Sequence, residues 1–274
     1  MKISFSNIGW AHKDDQLILP VLANLGFSAI EIAPSIIVDS PISHPEALIS
    51  YQKQILQDYN LSISSMQSIW YKRTGNIFSP EDRPELLSYT KKLINLASSI
   101  SCPNLVFGCP KNRIMSASDT PDSVIPFFKE LGDYAFSRHT TLSLEPNPTI
   151  YGTNFINTTT EAFKYVKKVN SPGFKVNVDL GTIIYNEEPL APLANNFDLI
   201  NHIHISEPNL QVVSKRPLHQ ALKDLLLSQQ YSHYLSVELT NPGSRDTIIQ
   251  IASYVAKVFE CNQYIANGGN NVKA

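Results

Sequence analysis

Apolar residues recur along this chain in two alternating rhythms. Short runs rich in Ile, Val and Phe, beginning with Ile3, Phe5 and Ile8, alternate with longer stretches in which apolar positions return every three or four residues. The first rhythm belongs to strands and the second to helices with one buried face. Strand patterns fall at roughly 2–7, 27–32, 61–67, 103–108, 140–145, 174–179, 200–206 and 234–239. Helical patterns lie near 15–25, 44–59, 81–100, 120–138, 157–169, 190–197, 217–230 and 244–260. Leu86, Leu93, Ile94 and Ala97 mark one apolar helix face, and Ser79-Pro80-Glu81 and Thr158-Thr159-Thr160-Glu161 offer the hydroxyls and acids that suit helix starts.

Eight repeats of strand then helix predict βαβ units and a parallel sheet. The 274 residues suit an α/β fold of the closed (β/α)8 type, the TIM barrel, which takes about 250 residues. An open doubly wound sheet has less support, since neither GxGxxG nor GxxxxGK[ST] occurs. No linker or low-complexity block divides the sequence, so a single domain is expected over 1–261 with a C-terminal tail at 262–274.

Composition narrows the classes. With 43% hydrophobic residues, 17% charged residues and a net charge of -2, the chain carries neither a disorder signature nor a basic field that would attract nucleic acid. Cys102, Cys109 and Cys261 are too few and too scattered for a disulfide framework, and no CxxC pair suggests zinc. The sequence starts in a strand-like run, and no stretch of about 18 apolar residues follows. A soluble, cytoplasmic protein with no membrane partner is therefore expected.

In a barrel of this type, functional residues sit at the carboxyl ends of the strands. Four consecutive strand ends carry acids or an imidazole: Leu-Ser-Leu-Glu145, Val-Asn-Val-Asp179, His-Ile-His204 and Leu-Ser-Val-Glu238. The separations of 34, 25 and 34 residues each match about one βα unit, so neighbouring strands deliver all four to one side of the mouth. A lone strand glutamate is more often a salt-bridge partner, and a lone histidine a satisfied core residue. Four at equivalent places need a shared partner, because a buried charge is costly unless paired or bound to metal. Three carboxylates and one imidazole suit one divalent cation, with Mn2+, Mg2+ or Co2+ ahead of Zn2+.

In these stretches the sequence resembles the xylose isomerase-like superfamily of barrels, which includes ketose 3-epimerases, inosose dehydratase, hydroxypyruvate isomerase and endonuclease IV. The likeness spans nearly the full chain. It is carried by Glu145-Pro-Asn-Pro with Tyr151-Gly152 behind it, Asp179-Leu-Gly, His202-Ile-His204-Ile-Ser-Glu207-Pro and Val237-Glu238. The resemblance implies a sugar or sugar phosphate isomerase or epimerase, with one cation on Glu145, Asp179, His204 and Glu238. It also implies that Glu145 and Glu238 act as the acid and base, and that Glu207 supports the substrate or pairs with a nearby base. Two places depart from the epimerase pattern: Thr182 stands where a substrate-contacting histidine is usual, and Leu210 where an arginine is usual.

Other substrate contacts are then expected from Lys111 and Arg113 in the loop after strand four, reaching a phosphate or carboxylate, although both would also serve as solvated loop cations. Gln67 and Glu31 close strands three and two, and Trp10, His12, Trp70 and Tyr151 could bound a sugar ring or simply pack. The turn at Asn241-Pro-Gly-Ser-Arg245 could present amides to an anion. Competing readings are a dehydratase on the same scaffold, a non-catalytic sugar-binding barrel, and an endonuclease IV-like phosphodiesterase. The last needs extra histidines, yet the chain has seven and none ends strands two, three or four. Association into a homo-oligomer stays open.

Overall fold

The two-residue rhythm is realised as eight strands: β1 (Lys2–Ser6), β2 (Ala29–Ile32), β3 (Ser62–Met66), β4 (Asn104–Phe107), β5 (Thr141–Leu144), β6 (Phe174–Asp179), β7 (Ile200–Ile205) and β8 (Tyr234–Val237). All pair in parallel in sequence order, and β8 pairs with β1 to close a TIM barrel. The computed structural model describes residues 1–259. The helix end expected at 260, the domain boundary at 261, Cys261 and the tail at 262–274 lie outside the described residues.

The helical segments are α1 (Asp15–Asn24), α2 (Pro34–Ile37), α3 (Pro45–Tyr59), α4 (Arg83–Ser99), α5 (Ile125–Ser137), α6 (Thr159–Val169), α7 (Leu180–Asn186), α8 (Ala191–Ala194), α9 (Pro217–Ser228) and α10 (Arg245–Val258). Leu86, Leu93, Ile94 and Ala97 are all buried on α4. The expected start of α6 is a full capping box, with Thr158 accepting from Glu161 N and Glu161 reaching back to the Thr158 amide. Ser79 acts earlier than expected: its hydroxyl accepts from Asp82 N in a turn before α4, which begins at Arg83. The helix expected at 120–138 opens as a 3-10 turn at Pro121–Val124 before α5.

The largest departure follows β6. In place of one helix at 190–197, α7 begins directly after Asp179 and the short α8 comes later. Asp179 causes this, because its side chain accepts from Thr182 N and starts the helix at once. Glu187, in the left-handed region at φ 55°, stops it.

Inward and outward strand positions differ sharply in chemistry. Phe5, Ile30, Phe107, Leu144, Val178, Ile205 and Val237 are buried in the apolar layer. The alternate positions form a polar lumen in place of the usual branched apolar layers. Ser64 Oγ donates to Ser4 Oγ at 2.8 Å, Asn104 Nδ2 to Ser65 Oγ at 2.9 Å, and Asn201 Nδ2 to Asn104 Oδ1 at 2.8 Å. Buried polar groups are tolerated when they bond one another in this way. The lumen thus leads from a floor of hydroxyls and amides to a mouth of acids.

Candidate metal centre

Strand register sets the mouth. His204 lies opposite Asp179 on β6 and Ser236 on β8. Glu145 and Glu238 stand one residue beyond β5 and β8, yet their amides continue the ladder to Phe107 O and Ile205 O, each at 3.0 Å. Donor atoms of Glu145, Asp179, His204 and Glu238 all come within 4.8 Å of one another. His204 Nδ1 lies 2.8 Å from Glu145 Oε1 and 3.0 Å from Glu238 Oε2. The four side chains, Glu145 half-buried and the other three buried, gather as one group that could hold an ion.

Each member is held differently. Glu145 is clamped by amides: Asn177 Nδ2 donates to Oε1 at 2.7 Å and Asn147 Nδ2 to Oε2 at 3.0 Å. Asp179 accepts from Thr182 N at 2.7 Å and from the Ser206 hydroxyl, while the Thr182 hydroxyl lies 2.8 Å from its Oδ2. Glu238 contacts His204 and takes no amide or hydroxyl donor among the described residues.

Electrostatics follow from this unequal support. Burial pushes Glu238 up to about 7, against the pull of the His204 charge. Burial opposes ionisation of Glu145 as well, but the His204 bond and charge, the Asn147 amide and Arg113 together hold it below the usual carboxylate range. Asp179 is raised by burial and by the Glu145 charge. Burial disfavours a charged His204, yet Glu238, Glu31 and Glu145 keep it well above an ordinary imidazole.

Gly108 leaves room for this arrangement. A Cβ at that position would stand 2.6 Å from Glu145 Oε2. The nearby atom ends a side chain, so Gly108→Ala should fold and displace the carboxylate. Displacements of about 1 Å at a catalytic group cost roughly 100-fold in rate, and any turnover supported by this site should fall by about that factor in the variant. Unchanged kinetics would show that Glu145 tolerates the shift.

The other residues singled out from sequence divide into two groups. Tyr151 stands at the mouth: its hydroxyl accepts from Asn209 N at 2.9 Å, and burial with the charges of Asp179, Glu145 and Glu238 raises the phenol to about 12. Gln67 lines the lumen beneath, donating to Glu31 Oε1 at 3.1 Å. Arg113 is not a solvated loop cation but fully buried, donating through Nη2 to Glu145 O at 2.8 Å and to Asn147 Oδ1. It braces the amide that clamps Glu145.

The second group stands apart from the four donors. Lys111 is exposed and has no ion-pair partner among the described residues. Glu207 is buried and bound through both oxygens by Arg216, with Ser214 N as a further donor. Trp10 Nε1 donates to Asp15, to which His12 Nδ1 lies 2.8 Å away, and His12 lines a groove of about 520 Å³ between α1 and α3. Trp70 packs edge-on against Phe107 and donates to Thr90. At Asn241–Arg245, Ser244 caps α10 by accepting from Thr247 N.

Sequence reading missed the orienting residues Asn147, Asn177 and Ser206. A signal existed for Asn177, which shares the inward face with Asp179 two positions on. Thr182 is occupied at Asp179, and its hydroxyl also lies 2.9 Å from the Pro146 carbonyl.

A parallel eight-stranded barrel with a candidate ion site at the carboxyl ends of β5 to β8 defines the class of protein. The family model for the xylose isomerase-like TIM barrel matches residues 19–255, and the chain belongs to that family. No curated protein matches the sequence significantly. Among solved structures, the 3-keto-D-glucoside 4-epimerase of E. coli is 19% identical at a TM-score of 0.73, covering 95% of this chain and 100% of that one. D-psicose 3-epimerase of Clostridium cellulolyticum H10, solved with D-tagatose, is 15% identical at a TM-score of 0.75, covering 95% and 98%. An AP endonuclease, family 2, of Brucella melitensis is 17% identical at 0.74, covering 94% and 99%. At these identities the likeness establishes the fold. In the described residues, no helix is long and apolar enough to cross a membrane.

Proposed function

We propose that the protein is a divalent-cation-dependent epimerase or isomerase of a ketose, a related polyol ketone or a sugar phosphate, with Glu145 and Glu238 as its acid and base. The observation that carries this reading is the unequal support of the two glutamates around one donor set. Three carboxylates and one imidazole nitrogen within 4.8 Å suit Mn2+, Mg2+ or Co2+, with Zn2+ less favoured. A bound ion of this kind polarises a carbonyl and makes the neighbouring C–H acidic.

The rest is work for the chain. Glu145 and Glu238 come from the outer two of four adjacent strands and flank Asp179 and His204. Glu238, bonded among the described residues to His204 alone and raised towards neutrality by burial, is the group suited to take a proton and hold it. Glu145, fixed by Asn147 and Asn177, stays ionised until a proton reaches it, and would meet the substrate from the other flank of the donor set. Such a pair with environments pushed apart is the arrangement that acid–base chemistry at one carbon requires. Tyr151, half-buried, feels the charges of all three acids and stands close enough to contribute its hydroxyl to a bound substrate.

The sugar epimerases among the structural neighbours support this reading, and an endonuclease among them shows that fold alone does not select it. Incubating the Mn2+-loaded protein in D2O with ketoses, ketose phosphates and polyol ketones tests it directly. Deuterium is expected at the carbon beside the carbonyl, with an epimer or isomer as product. Loss of water from the product would move the assignment to a dehydratase. Tight sugar binding without exchange would leave a binding protein.

A further inference from the structure

We propose that Glu31 is a positioning residue, holding His204 in the orientation and tautomer that present Nδ1 to the cation. The inference rests on the ligand set proposed above. His204 Nδ1 faces Glu145 and Glu238, while Nε2 points the other way, 3.1 Å from Glu31 Oε2. Carboxylates face both nitrogens, so a cation among Glu145, Asp179 and Glu238 decides between them: it takes the Nδ1 lone pair, and the one hydrogen of the neutral imidazole then stands on Nε2, where Glu31 accepts it. The other tautomer would aim an N–H at the ion.

Glu31 is itself fixed with unusual care. It is 0% exposed, at the end of β2, a setting that disfavours a carboxylate unless its oxygens are satisfied. Its Oε1 accepts from Gln67 Nε2 at 3.1 Å and from Ser236 Oγ at 3.4 Å, which leaves Oε2 aimed at the histidines. Gln67, one residue beyond β3, is in turn bonded to Ser6 of β1, so Gln67 and Ser236 of β8 together hold this side chain of β2. His202 Nε2 lies 3.0 Å from the same Oε2 but too obliquely to hydrogen-bond, and its ring stands edge-on to His204 with centroids 5.3 Å apart. The histidine is thus held by a bond at Nε2 and by a ring at its side. Carboxylate partners of this kind both orient a metal-bound imidazole and increase its basicity.

Glu31, His202 and His204 also come within 4.8 Å of one another and could hold an ion themselves. That arrangement would require His204 to coordinate through both nitrogens at once, with both protons removed. The hydrogen-bonded arrangement needs neither a second ion nor an imidazolate.

Two measurements separate these cases. In the first, ion-stripped wild type, Glu31→Gln, Glu31→Asp and His202→Ala are titrated with Mn2+, and free Mn2+ is read by electron paramagnetic resonance. The wild type should bind one ion per chain, Glu31→Gln about 10–100-fold more weakly, and Glu31→Asp more tightly than Glu31→Gln. In the second, the wild type labelled with 15N-histidine and loaded with Mg2+ should show His204 protonated at Nε2. This needs no variant to fold. A wild type that binds no ion would sink the ligand set itself. One ion with unchanged affinity in Glu31→Gln, or an Nδ1-protonated His204, would overturn the role of Glu31 alone. Two ions per chain, one of them lost in His202→Ala, would overturn it too, making Glu31 a ligand.

Discussion

Glu238→Gln should lower the rate of solvent deuterium exchange into substrate by about 100- to 10,000-fold, the range that a general acid–base group contributes. The substitution preserves shape and leaves an amide oxygen that can still face a cation. It removes the ability to accept a proton. Glu238 takes no amide donor among the described residues, so its glutamine disturbs no hydrogen bond that positions a neighbour other than His204. Glu145→Gln is a different experiment. There the new NH2 group would meet Asn147 Nδ2 or Asn177 Nδ2, both already donors to the carboxylate, and two donors facing each other force a rearrangement. The first variant should therefore lose kcat with little change in KM, whereas the second should lose both kcat and ion affinity. Exchange at the wild-type rate in Glu238→Gln would remove that residue from the chemistry and return the question to Tyr151 and Glu145.

What sequence disclosed about this molecule depended on periodicity. The strands were legible because their two-residue rhythm is short, apolar and repeated eight times, and a barrel is the arrangement that closes such a repeat. Glu145, Asp179, His204 and Glu238 were legible for the same reason: once strand ends are located, the barrel brings them to one rim, where the structure indeed gathers them. Loops have no such rhythm. Arg113 and Lys111 share one loop and one charge in the sequence, yet Arg113 turns inward to brace Asn147 while Lys111 stays in solvent. Nothing in a six-residue loop distinguishes them without its backbone path.

Side chains just beyond a strand end were equally ambiguous. Trp10 and His12 follow β1 where sugar contacts would be welcome, but Asp15 draws both towards the start of α1. Glu207 follows His204 closely, and Arg216, nine residues later, binds it through both oxygens. In each case a partner several residues away in the chain decides the direction, and a strand-end rule carries no information about it. The seven residues of α7 escaped because a helix so short shows no period. Its start was written in the Asp179 side chain, which serves as both cap and candidate ligand.

Adding Mn2+ to ion-stripped protein at about 100 times its dissociation constant should stabilise the fold by about 2.7 kcal/mol, since an ion bound only by the native state shifts the equilibrium by mass action. In a domain of this size that corresponds to about 5–10 °C in the melting temperature. The source of the gain is local. Three carboxylates and His204 share a volume in which every donor lies within 4.8 Å of the others, and burial already raises both Asp179 and Glu238. Without an ion, the acids repel one another in a poorly screened site, which leaves the fold with a reserve that a cation releases. Asp179→Asn isolates this term. It removes one charge, and the Ser206 hydroxyl can turn to accept from the new amide. The ion-free variant should melt no lower than ion-free wild type and should lose most of the Mn2+ shift. A wild type whose melting temperature ignores Mn2+, Mg2+ and Co2+ alike would mean that the four residues form a hydrogen-bonded cluster and not a cation site. A variant that keeps the full shift would place the ion away from Asp179.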